Sequence, residues 1–90
     1  VKITFDPSKD RLNQEKHGVS LALAEFLFAG PCLCVEDDRF DYGEVRNIAL
    51  GLINGRVFVC VYTDRGAERR VISLRKANKG EVARYDKSNQ

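Results

Sequence analysis

The sequence lacks the features that announce most enzyme and membrane classes. No apolar run approaches the roughly 20 residues that a membrane span needs, so no membrane role is expected. There is no Walker loop, HExxH helix, dinucleotide fingerprint or EF-hand loop. Histidine is represented by His17 alone. Cys32, Cys34 and Cys60 are an odd set, and Cys32-Leu33-Cys34 is not the spacing of a CxxC redox or metal pair. Three reduced thiols in apolar surroundings are therefore expected, rather than a zinc site, and they suit an intracellular protein. The opening Val1-Lys2-Ile3-Thr4-Phe5 alternates like a strand and shows no targeting pattern, so a cytoplasmic location is expected. Neither a cofactor nor a metal is called for; the acids between positions 36 and 44 read as a solvated edge.

What is present fits one domain spanning residues 1–90, with 43% hydrophobic residues. A chain this short buries a small fraction of its surface, so a tight partner could matter to its stability. The net charge of +2 is modest, but it is unevenly spread. Residues 36–44 carry five acids against Arg39, while residues 65–90 carry eight bases against three acids. A basic field of this kind suits a polyanion or an acidic protein partner equally well.

Local signals give an order of elements. Asp6-Pro7 is a helix start, an N-cap acceptor followed by proline in the first turn, and Gly18 is its stop. Leu12 is the strongest apolar anchor of that helix, which should be mostly exposed. Ser20 can cap a second helix over residues 21–29, with Leu23, Phe26 and Leu27 toward the core and Leu21, Ala24 and Phe28 widening that face. A short strand over 32–36 follows. Asn54-Gly55 predicts a type I′ hairpin that pairs Ile53 with Arg56 and sets Leu52, Leu50 and Ile48 opposite Val57, Val59 and Val61. A turn over residues 64–67 would then pair Thr63 with Glu68, Val59 with Ile72 and Val57 with Leu74, keeping one face apolar. The other face, with Phe58, Cys60, Tyr62, Arg69 and Arg75, reads as a positively charged groove. Asn78-Lys79-Gly80-Glu81 has the spacing of a capping box and opens a last helix that ends near Asp86. The fold class is α+β: a small antiparallel sheet with N-terminal helices on one face and a C-terminal helix.

Two readings of the charged side chains stand side by side. His17 at a helix end is either a C-cap that favours the helix dipole or an acid–base group. Arg75-Lys76, with Tyr85 one helix later, could hold phosphate and supply an acid or a stacking platform. These types suit RNA cleavage by the 2′ hydroxyl, in which the substrate supplies its own nucleophile. The alternative is a non-enzymatic module that binds an acidic partner or nucleic acid through its arginines.

A series of short motifs then points to a family. Phe5-Asp6-Pro7 with Lys9 and Asn13, and Lys16-His17-Gly18-Val19-Ser20, resemble the opening of the BrnT toxins of type II toxin–antitoxin systems. So do Glu44-Val45-Arg46, Gly51, Gly55-Arg56, the run from Val61 to Gly66, the run from Arg70 to Ala77, and Glu81 with Tyr85. Leu74, where the family often has alanine, and the pair Cys32 and Cys34 depart from the pattern. The resemblance implies a RelE-like fold, metal-independent endoribonuclease activity on RNA, and a cognate BrnA-like antitoxin that alone brings the complex to promoter DNA. It implies a catalytic set drawn from Arg75, Lys76, Arg65, Arg46, His17, Glu44 and Tyr85, with Lys16, Arg56, Arg69 and Lys79 binding RNA.

Overall fold

Asn54 and Gly55, with φ of 52° and 77°, turn the chain back on itself as a type I′ loop requires. They join β3 (Arg46–Ile53) to β4 (Arg56–Arg65) in the predicted register, with Leu50 opposite Val59 and Ile48 opposite Val61. The computed structural model describes residues 1–39 and 41–89. Around this hairpin lie β1 (Lys2–Thr4), α1 (Pro7–His17), a 3₁₀ turn (Leu21–Leu23), α2 (Ala24–Ala29), β2 (Cys32–Asp37), β5 (Glu68–Lys76) and α3 (Lys79–Ser88). The sheet has five strands in the order β1-β5-β4-β3-β2. It is α+β as expected, but the sheet is mixed: β1 runs parallel to β5 and the remaining pairs are antiparallel.

The caps follow the sequence closely. Asp6 accepts from the Ser8 amide at 2.8 Å, Gly18 closes α1 in the left-handed region, and Ser20 caps the 3₁₀ turn. At α3, Asn78 and Glu81 bond each other's backbone amides, at 2.9 and 2.8 Å. The helix runs two residues beyond Asp86, to Ser88.

Three expectations about packing are corrected. The β4–β5 turn has two residues rather than four. Gly66, at φ 59°, takes the first central position of a type II′ turn, so Arg65 pairs with Glu68. A register shift between Val61 and Tyr62 then sets Cys60 opposite Leu74 and Val59 opposite Arg75. The second correction concerns the faces. The surface read as a groove, with Ala49, Phe58, Cys60, Tyr62 and Val71, is the main core, sealed by Leu21, Ala24 and Leu27. Small residues explain this: a Cβ added to Gly51 would stand 2.8 Å from Leu27 Cγ, so glycine lets α2 lie close on the strand. The aliphatic face, with Leu50, Val57 and Val59, is covered only partly, by Val82 and Tyr85 of α3. Thirdly, Leu12 is 63% exposed and Phe26 is also exposed, so neither anchors its helix.

Asn13 anchors α1 instead. Beyond Thr4, β1 no longer covers β5, and the Asn13 amide takes over as a strand partner. Its Oδ1 accepts from the Leu74 amide at 3.1 Å, and its Nδ2 donates to the Leu74 carbonyl at 2.9 Å and to Val19 O at 2.9 Å. These bonds satisfy buried backbone groups that would otherwise be costly.

Candidate active site and partner groove

The fold makes two unlike clefts beside β5. The first lies between α1 and the β5 edge and is lined by Lys9, Leu12, Asn13, Lys16, His17, Ile72 and Ser73. It contains three cationic or titratable bases and no acid. Helix α1 brings Lys9, Leu12, Asn13 and Lys16 to one side, because residues three and four apart share a helical face. His17 occupies the last turn of α1. Its pKa is lowered from the ordinary 6.5, first by desolvation and then by the charges of Lys16 and Arg75. The imidazole is thus predominantly neutral at pH 7, and Arg75 lies close enough for its charge to be felt.

The second cleft, about 420 Å³, opens on the half-covered aliphatic face. Its floor is Leu33, Val35, Ile48, Leu50, Val59 and Val61. Glu36, Asp37, Asp38 and Arg39 form one wall, and Arg75, Glu81 and Arg84 the other. Four acids and three bases make it a mixed-charge apolar groove, not the basic one expected. Asp37 is no solvated edge residue. It is buried, accepts from Arg39 Nε at 2.8 Å and from Tyr42 Oη at 3.1 Å, and its pKa is lowered to about 2, chiefly by the Arg39 hydrogen bond.

The predicted site residues fall into separate groups. Arg75 faces the groove, where Glu81 binds it in a fork at 2.9 and 2.8 Å. With a third bond to the Lys76 carbonyl, two of its five N–H donors remain unused among the described residues. Lys76 and Lys79, at the exit of β5 and the entry of α3, lie at the same end of the sheet, and Arg56 starts β4 there. Arg46, Glu44 and Arg65 are at the opposite end. Arg65 pairs with Glu44 at 3.0 Å, and the Arg46 guanidinium lies 4.1 Å from the Tyr42 ring centroid. Arg69 is on the main-core face, stacked on Phe28 and Tyr62 and paired with Asp64 at 2.8 Å. Tyr85 is buried, and its hydroxyl donates to the Pro31 carbonyl at 2.9 Å, which ties α3 to the start of β2. The sequence reading missed Lys9 and Ser73 as cleft residues; the i, i+4 relation of Lys9 to Asn13, both in the motif series, was the available signal.

The cysteines also divide. Cys60 is buried, and desolvation pushes its thiol up to about 12. Cys32 and Cys34 are exposed, contrary to the expectation of apolar surroundings. They alternate toward the same side of an edge strand, which burial of that face's centre does not reach.

The motif series has a known counterpart. The family described as the ribonuclease toxin BrnT of type II toxin–antitoxin systems matches residues 5–81. The chain belongs to the BrnT toxin family. That family is one of ribonuclease toxins, and a type II system implies an RNA target and a protein antitoxin. No curated protein matches the chain significantly. Among the described residues, no helix is long and apolar enough to cross a membrane.

Proposed function

We propose that this BrnT-family chain is a metal-independent endoribonuclease whose RNA site is the α1–β5 cleft. The observation that carries the reading is the acid-free lining of that cleft, with Lys9, Lys16 and a neutral His17 beside Ser73, and with Arg75 of the neighbouring groove near enough for its charge to act on His17. Attack by a ribose 2′ oxygen on the adjacent phosphorus breaks the bond to the 5′ oxygen. The products are a 2′,3′-cyclic phosphate and a 5′ hydroxyl. The proton lost at the 2′ oxygen is regained at the 5′ oxygen, so the step needs no external nucleophile. His17 is the base for the first transfer, and the lysine ammonium groups are the nearest donors for the second. Lys9, Lys16 and the free N–H groups of Arg75 offset the charge that grows on the phosphate oxygens. Lys76, Lys79 and Arg56 extend the basic track at that end of the sheet.

The groove under α3 is assigned to the antitoxin. A helix with an apolar stripe fits its aliphatic floor; bases on one flank would meet Glu36 and Asp38, and acids on the other would meet Arg84. A BrnA-like partner of this kind would also carry the DNA-binding part, so promoter contact would be indirect.

A binding-only reading rests on a different observation: Arg65, Arg69 and Arg75 already have carboxylate partners. Purified protein incubated with naked RNA in excess EDTA separates the two. Cleavage to cyclic phosphate ends is expected. Strict dependence on magnesium would overturn the mechanism, and bound but intact RNA would favour the binding module.

A further inference from the structure

The side chains that the ribonuclease reading leaves unused include a pair of thiols. Cys32 and Cys34 lie on β2, the edge strand of the sheet, and both are exposed. Two residues apart on an extended strand, they project to the same side, and their sulfurs are 3.5 Å apart. The main-chain separation is compatible with a bond between them: a rise of about 3.3 Å per residue puts the Cα atoms roughly 6.6 Å apart. That lies at the upper end of the range of about 4.4–6.8 Å found across disulfides. Only one flank of β2 is held, by β3, so the strand can pucker without breaking a second ladder.

We propose that Cys32 and Cys34 form an oxidisable dithiol that low-molecular-weight disulfides convert to an intrachain disulfide. The thiolate of one cysteine attacks the small disulfide, forms a mixed disulfide and releases one small thiolate. The second cysteine, having lost its proton to solvent, attacks the protein sulfur of that mixed disulfide and releases the other small thiolate. The two protein thiols lose two protons and two electrons, and the small disulfide gains the electrons. Desolvation, and after it the hydrogen bond shared with Cys34, raise the Cys32 pKa, which slows attack by that sulfur.

Three features shape the product. Its stretched backbone span and its exposure both make such a bond readily reducible, so the dithiol is a reversible site rather than a structural staple. Leu33, between the two cysteines, is part of the groove floor, and Pro31 just before them accepts from Tyr85. A pucker of β2 therefore changes the wall of the groove and the tether of α3. Cys60 is buried and its thiol is held protonated, so it acts as an internal control.

The test is to incubate the intact protein with oxidised glutathione, alkylate it after denaturation, and map it by mass spectrometry. The expected result is a chain lighter by two hydrogens, with Cys60 the one alkylated thiol and Cys32 linked to Cys34. Cys34→Ser should stop at a mixed disulfide on Cys32 or stay unmodified. Amide resonances of residues 32–34 and of 49–51, their partners on β3, should shift on oxidation and return on reduction, while those of β1 do not move. A wild-type chain that remains glutathionylated, links to a second copy, or leaves both thiols free would overturn the proposal.

Discussion

Two clefts flank the same strand and differ in every property that matters for a ligand. The α1–β5 cleft is small and without acids, whereas the groove under α3 has an aliphatic floor and walls of both signs. The eight bases of the last third of the sequence therefore do not make one basic face. The turn at Gly66 and the register shift at Val61 spread five of them, Arg65, Arg69, Arg70, Arg75 and Lys76, over both faces and both ends of the sheet, and the other three lie on α3. The contrast teaches that the position of charge in the fold, rather than its count in the sequence, separates a phosphate site from a protein-docking site. Arg75 joins the two: it lines the groove while its charge reaches His17 in the cleft.

Substitutions can break or sharpen this contrast. The largest effect is expected at Arg75. Arg75→Ala should lower RNA cleavage about 100- to 1,000-fold, the range for removal of one preorganised donor. Arg84→Ala, which alters the groove alone, should leave cleavage unchanged and weaken antitoxin binding. Equal losses of cleavage from both variants would erase the distinction.

The next effect concerns the wall of the cleft. Asn13→Ala leaves the Leu74 amide and carbonyl unpaired, and should cost roughly 2–3 kcal/mol in urea unfolding. Leu12→Ala, one residue away and mostly exposed, should cost about 0.5 kcal/mol or less. On β3, two strands away, Gly51→Ala drives a methyl group into Leu27 and should cost about 2 kcal/mol, read in the same assay.

The smallest effect is a pH dependence confined to the groove wall. The Asp37 pKa of about 2 lies below its ordinary 3.8, so the carboxylate stabilises the folded state above pH 4. That contribution fades as pH falls through 3.8 toward 2. Asp37→Asn should therefore be less stable than the wild type at pH 6, with the gap narrowing at pH 3; a gap that stays constant would mean the Arg39 contact stabilises little.

Much of this architecture was legible in the sequence. Short-range chemistry specified the caps at Asp6, Ser20 and Asn78 and the β3–β4 register, because each depends on residues a few positions apart. The choice of buried face was not legible from alternation, since β4 is apolar at every position from Val57 to Tyr62. Such a continuous run signals burial on both faces, and the small residues Ala49 and Gly51 mark where a helix can come closest. The β4–β5 register turned on whether Gly66 opened a two-residue turn, which the surrounding polar residues concealed. Of the site, Arg75 and His17 stood out by type, but their proximity depends on α1 packing against β5 through a polar side chain. Hydrophobic periodicity cannot find an anchor like Asn13.

The place where RNA binds decides between the two clefts. Titration of isotope-labelled protein with a short oligonucleotide that has 2′-deoxy substitutions, and so cannot be cleaved, gives that location by amide shifts. The largest changes are expected at Lys9, Lys16, His17 and Ser73, with Val35, Ile48 and Val61 unmoved. Changes concentrated on Val35, Ile48 and Val61 instead would place the nucleic acid in the groove and contradict the division of labour between the two clefts.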